Sequence, residues 1–250
     1  MTCRGGVGNR LLAGLPPEDI ALLAPDLETV AIDPETVLSH AGDRIEHVFF
    51  PHSGAISLMI DMAGGQTVST AAVGHEGAVG ILAVLGPSPS AATAIVRAAG
   101  TASRIPAYRF HVAFNRSPPI RHAVQIHVRA MLMQFQLGAA CNALHPVRAR
   151  MARWLLYLRD HVDDDVLPLT QEALSQMLGV RRTTVTLLTR DLRASGAIRS
   201  VRRGQIEIDR SQLAAAACEC YRTMRHEVEE IFSTHPARPS VLPVPDEASR

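Results

Sequence analysis

Residues 179–192 read GVRRTTVTLLTRDL: a glycine, two arginines, a run of threonines, then apolar residues recurring at helical spacing. The stretch just before it, LTQEALSQMLGV (169–180), carries a helix of its own. Thr170 stands where an N-cap belongs and Glu172 falls in the first turn. Ala173, Leu174, Met177 and Leu178 then form one apolar face, which Gly179 ends in a left-handed conformation. A second helix follows at once. Val185, Leu188 and Leu192 fall on its inner side, so Arg182, Thr183, Thr186 and Arg190 project outward until Ser195-Gly196 stops it. Two short helices joined through a glycine turn, the second presenting cations and hydroxyls, make a helix-turn-helix. AIRSVRRGQIEI (197–208) comes next, two strand-like runs meeting at Arg203-Gly204, hence a hairpin wing with a basic tip.

That order of elements assigns a double-stranded DNA operator as partner. Arg181 and Arg182 sit where a recognition helix enters the major groove, and an arginine pairs bidentately with guanine O6 and N7. Thr170, Thr183, Thr184, Thr186 and Arg190 join them on the helices. Arg202 and Arg203 on the wing are placed to neutralise phosphates. An arginine-rich amphipathic helix alone also reads as a solvated face; helix, turn, helix and wing in sequence argue against that reading.

Charge is distributed to match. The net charge of the 250 residues is only +1, yet residues 1–100 hold ten acids against four arginines, while residues 181–210 hold eight arginines against three acids. Such asymmetry is the footprint of a polyanion-binding module. With 47% hydrophobic and 20% charged residues, the chain is globular and long enough for two cores.

The N-terminal part is organised differently. LLAGLPPEDIALLAPDLETV (11–30) reads as short helices separated by prolines. VFF (48–50), AISLMI (55–60), TVSTAAV (67–73) and TAIVRAA (93–99) are short strands broken by glycine and proline, the pattern of a small antiparallel barrel or roll. From Pro118 the period becomes helical. Val124, Val128, Met131, Phe135 and Gly138 are spaced four, three, four, three, a heptad seam that favours a partner helix and a homodimer. A core helix packed on its own roll is the alternative. VRARMARWLLYLRDH (147–161) is a further helix, and the segment after His235 holds four prolines with no periodicity. The expected division is therefore a β-roll sensor at 10–116, a dimerisation helix and hinge at 117–145, a winged helix-turn-helix at 146–233 and a disordered tail at 234–250.

LTQEALSQMLGVRRTTVTLLTRDLRASGAIRSVRRGQIEIDRSQL (169–213) resembles the winged helix-turn-helix of the cyclic-AMP receptor protein and fumarate-nitrate regulator (Crp/Fnr) superfamily. RARMARWLLYL is similar to the helix preceding that motif, the heptad helix to the family's dimerisation helix, and the strand-rich part to its cyclic-nucleotide-binding-like β-roll. The resemblance implies an α+β transcription regulator, a homodimer whose roll senses a signal and whose paired recognition helices bind a palindromic operator. It also allows RNA polymerase as a partner.

Two departures from the family stand out. Members commonly read Ser-Arg-Glu-Thr-Val where this chain reads Arg181-Arg182-Thr183-Thr184-Val185; Arg182 takes the place of the guanine-reading arginine, but Thr183 replaces a glutamate and Leu187 a following arginine. In cyclic-nucleotide binders a Gly-Glu stretch holds the ribose and an Arg-Ser pair the cyclic phosphate. GHEGAVG (74–80), with Gly74, Glu76 and Gly77, resembles the first, but the pair aligns with Ala92-Thr93, leaving Arg97 as the only nearby cation. No cofactor is expected, cyclic AMP is argued against, and the effector is left unnamed.

Other chemistry is weaker. His40, His47 and His52 match no metal motif. Cys218 and Cys220, two apart in an expected helix, would point to different faces, Cys141 reads as a packing residue, and Cys3 alone cannot hold an iron-sulfur cluster. No metal site and no enzyme are expected. The N-terminus lacks a basic region followed by an apolar core, and AVGILAVLG (78–86) is too short to span a bilayer, so a cytoplasmic protein off the membrane is expected. The competing reading is a small-molecule or redox sensor that acts through a protein partner, its helix-turn-helix having become an interaction surface.

Overall fold

The computed structural model describes residues 8–86, 89–162, 164–202 and 204–234. Arg203, Cys3 and positions 235–250 lie outside these described residues. Asn9 anchors the start. Its side-chain oxygen accepts from the N–H groups of Leu11 and Leu12, capping α1 (Arg10–Ala13), while its amide donates to Pro51 O at 2.9 Å and Gly77 O at 2.8 Å. The prolines then set α2 (Pro17–Leu23).

Seven strands follow: β1 (Glu28–Ile32), β2 (Val37–Ser39), β3 (His47–Pro51), β4 (Ala55–Asp61), β5 (Thr67–Val73), β6 (Thr93–Ala98) and β7 (Gly100–Pro106). They form two antiparallel sheets, ordered β1-β7-β3 and β2-β6-β4-β5. Ile32, Phe49 and Ala102 from the first sheet meet Ile56, Val73, Ala94 and Val96 from the second in a shared core. This is the roll that the alternating short strands predict. The short helix α3 (Ala107–Arg116) closes one end, and α4 (Pro118–Leu144) departs from a Ser117 N-cap.

After α5 (Val147–Val162), a short strand β8 (Val166–Leu167) leads to α6 (Gln171–Leu178) and α7 (Arg182–Ala194). Thr170 Oγ1 accepts from Ala173 N at 3.0 Å, and Gly179 adopts φ 64, so the cap and the turn are those expected. Strands β9 (Ile198–Arg202) and β10 (Gln205–Ile208) form the wing, with β8 as a third strand in the order β8-β10-β9. Helices α8 (Arg210–Ala216) and α9 (Cys220–Thr234) complete the described chain. One core joins α5, α6, α7 and the wing to Ala55, Ala72 and Ala98 of the roll, so the two halves are docked together. Helix α9 leaves the winged unit and packs back on α4, adding Ile231 to the core shared by α1, α3, α4 and the roll.

The packing of α4 corrects the expected seam. Val124, 1% exposed, is buried in the chain's own core, and Gly138 is buried opposite Thr70 O of β5, 3.7 Å from where a Cβ would stand. Val128 and Met131 are half-buried on the roll. Of the five positions only Phe135 is free, and Leu132 joins it on the outer face. The reason is that a core-facing stripe and a coiled-coil seam share the same three-four spacing over two heptads. Among the described residues no helix is long and apolar enough to cross a membrane.

Candidate functional site

The recognition surface is built from α7 outward. Val185 and Leu192 are fully buried and Leu188 partly, which rolls the opposite face into solvent. Arg181, at the N-cap, is exposed together with Arg182, Thr183, Thr186 and Arg190, while Thr184 is half-buried. Thr186 Oγ1 lies 3.1 Å from both Gln171 Oε1 and Arg182 O, so this hydroxyl also ties the two helices together. The cations differ in what surrounds them. Arg199 is held by Asp209 at 2.8 Å and Arg190 Nε lies 3.9 Å from Asp191, whereas among the described residues no carboxylate pairs with Arg181, Arg182 or Arg202. Arg193, also exposed near the end of α7, likewise has no carboxylate partner among the described residues. Thr170 is exposed at the start of α6, and Gly204 of the wing approaches it.

Glu76 and Arg97, two of the residues expected to hold an effector, have partners within the chain. Tyr157 Oη lies 2.7 Å from Glu76 Oε1, and His161 Nε2 lies 2.7 Å from Glu76 Oε2. Both residues come from α5, one turn apart. Gly74 is required by that approach, since a Cβ there would overlap His161. Gly77 sits against Val73 and His127. Burial disfavours the Glu76 charge, yet His161 outweighs it and holds the carboxyl well below its usual range. Burial pushes the His127 imidazole down to about 4, against the opposing pull of Glu76.

Arg97 is fully buried. Its Nη1 donates to Glu35 Oε1 and Oε2 at 2.9 and 3.0 Å, and its Nη2 donates to Gln176 Oε1 of α6 at 3.0 Å. Thr93 Oγ1 accepts from Ala41 N, and Ala92 O accepts from Ser90 Oγ. The cavity at Glu76, about 210 Å³, is walled by His75, Gln134, Tyr157, Asp160, His161 and residues of α9; Ala92, Thr93 and Arg97 do not line it. The expected pocket residues thus fall into separate places.

Sequence reasoning missed a second convergence. Cys141 of α4, His145 at its C-cap, and Cys218 and Cys220 at the entry to α9 bring their ligand atoms within 4.8 Å of one another. The expectation that Cys218 and Cys220 diverge fails because Cys218 precedes the helix, so helical spacing does not govern the pair. Cys141 is fully buried, as the packing reading expects, and its thiol also belongs to this group. His40, His47 and His52 belong to no such group among the described residues.

Comparison with known proteins agrees with this architecture. The model of the Crp-like helix-turn-helix domain matches residues 149–216, and that of the cyclic nucleotide-binding domain matches residues 29–117. No curated protein sequence is a significant match. Among solved structures, a Crp/Fnr-family transcriptional regulator from Eubacterium rectale superposes with a TM-score of 0.67 at 16% identity, covering 84% of this chain and 99% of that one. The c-di-GMP responsive global regulator CLP of Xanthomonas campestris gives 0.62 at 18% identity, covering 77% and 99%. FixK2 of Bradyrhizobium japonicum gives 0.64 at 14%, covering 77% and 98%. At these identities the likeness is one of fold. With the roll and the winged helix-turn-helix each matched by its own family and joined in this order, the chain belongs to the Crp/Fnr family of DNA-binding transcription regulators.

Proposed function

We propose that the chain works as a homodimer that grips a palindromic operator with two copies of α7, and that no cyclic nucleotide is its effector. The observation that carries the dimer is the outer face of α4. Leu132 and Phe135 are 55% and 40% exposed, and the exposed Ala139 and Ala143 continue the stripe at helical spacing. Large apolar side chains in line on a 27-residue helix are the surface a second copy of that helix covers. Two-fold pairing along α4 carries two recognition helices, and half-sites about 34–36 Å apart suit them.

The effector reading rests on Arg97 and Glu76. A cyclic phosphate entering a desolvated pocket needs a cation free to meet it. Arg97 already answers Glu35 and Gln176, and the Gly-Glu stretch is filled by Tyr157 and His161. RNA polymerase as the partner of the DNA-bound dimer, and the cytoplasm as its place, follow from family membership and the DNA target alone. Selection of bound fragments from random duplex DNA tests the reading. The expected product is an inverted repeat; recovery of unrelated sequences, or of a single half-site, overturns it and favours a protein partner for the basic face.

A further inference from the structure

Three thiols and one imidazole meet at the hinge between the dimer helix and the DNA-binding domain. Cys141 Sγ lies 3.5 Å from Cys218 Sγ, and Cys220 Sγ lies 3.5 Å from His145 Nδ1. We propose that Cys141, Cys218, Cys220 and His145 form a structural zinc site of the Cys3His type. A tetrahedral ion with Zn–S of about 2.3 Å and Zn–N of about 2.0–2.1 Å places its ligands about 3.8 Å apart for sulfur pairs and about 3.6 Å apart for sulfur and nitrogen. The distances here, starting at 3.5 Å and bounded by 4.8 Å, enclose those values. A multi-iron cluster spreads its cysteines across a core of several atoms, so a set this tight suits one ion.

The surroundings point the same way. His145 presents Nδ1 to the thiols and holds Glu219 Oε1 at 3.0 Å through Nε2, the carboxylate–histidine arrangement that orients metal-bound imidazoles. Arg153 is 5% exposed and has no carboxylate partner among the described residues; it stands within electrostatic range of Cys141 and Cys218, as does Arg150. Three thiolates around a divalent ion leave one negative charge, which a buried guanidinium offsets. Plain thiol packing calls for neither the imidazole nor the cation. Cys141, Cys218 and Cys220 are buried, and all four positions belong to protein atoms, so the site is closed and holds structure rather than catalysing. The ion would bolt the entry of α9 to the end of α4.

The test uses the full chain, purified reduced. Elemental analysis is expected to find one zinc per chain. Anaerobic loading of the metal-stripped protein with cobalt should give tetrahedral ligand-field bands with thiolate charge transfer, which zinc then abolishes. Cys220→Ser should lose the thiolate charge-transfer intensity of Cys220, and Glu219→Gln, which leaves all four ligands, should weaken cobalt binding about tenfold. Cys3→Ser should change nothing. Circular dichroism of the metal-stripped forms shows whether each variant keeps its helices. A folded, reduced wild-type protein that takes up neither metal overturns the proposal, as does an unaltered cobalt spectrum in Cys220→Ser. Isolation of a Cys141–Cys218 disulfide from protein that binds no metal overturns it in favour of a redox pair.

Discussion

His161 of α5 stands with its Nε2 2.7 Å from Glu76 Oε2 of the roll, an ion pair that crosses the junction between the roll and the DNA-binding domain. Its Nδ1 faces Tyr157 O at 2.7 Å, so both ring nitrogens meet acceptors and the imidazolium fits. Burial opposes that charge, but Glu76, helped by Asp160, holds the His161 pKa above its ordinary value. His75, Tyr157 and the buried His127 of α4 also stand near the pair, and Tyr157 is held neutral by burial and by Glu76.

Glu76→Gln should therefore destabilise the protein by about 3 kcal/mol near pH 5.5, the cost of orphaning one member of a buried pair. A raised histidine pKa contributes fully below about 6.5 and fades as pH climbs through the raised value; a lowered carboxylate pKa contributes above about 4.3 and fades only in stronger acid. The gap between wild type and variant should thus be widest in that window and narrow toward alkaline pH. Urea melts from pH 5 to 9 check it, and a gap independent of pH shows that the pair carries no charge.

Arg182→Ala should weaken operator binding by about 1–3 kcal/mol and relax one base position in each half-site. Arg202→Ala should instead lower affinity alike on all sequences and reduce the salt slope by about one unit. Titrations at several salt concentrations separate the two roles. Identical behaviour of both variants would assign Arg182 to the backbone.

Leu132→Asp and Phe135→Asp should yield folded monomers with weak DNA binding, because a single half-site lacks the effective concentration of the second. Val124→Asp should unfold the roll instead, since it buries an unpaired charge in the chain's own core. Sedimentation read beside circular dichroism distinguishes these outcomes. A dimeric Leu132→Asp protein places the contact elsewhere.

Cyclic AMP and cyclic GMP should give no heat of binding at micromolar concentrations, because Arg97 and Glu76 are already paired within the chain. Micromolar binding that Arg97→Met abolishes would show that Gln176 and Glu35 yield to a phosphate, and would make that ligand a lever on α6.

The winged helix-turn-helix was legible because its signals are local: a Thr170 cap, Gly179 at positive φ, apolar residues every third or fourth place, and a basic outer face. The roll was legible from strand spacing and turn residues. Helix α4 was not, because its inner residues serve the roll and α9 while repeating at the interval a coiled coil uses. The thiol group escaped notice since Cys141 and Cys218 are 77 residues apart and meet only through the return of α9. The Cys141–His145 interval of four, one face of a helix, was the available signal. Tyr157 and His161 carry the same interval on α5, and nothing near Glu76 in sequence announces them.

The return of α9 also orders events during synthesis. Arg10 pairs with Glu229 at 2.8 Å and lies over the Phe232 ring at 4.4 Å, and Ile231 enters the core built by the first helices. A nascent chain can pair its roll strands early, but that core closes only once the winged unit has already left the ribosome. A message broken between the wing and α9 therefore yields a protein with a complete reading head and an open apolar face on α4. Such a product is a substrate for proteases before it is a competitor for operators.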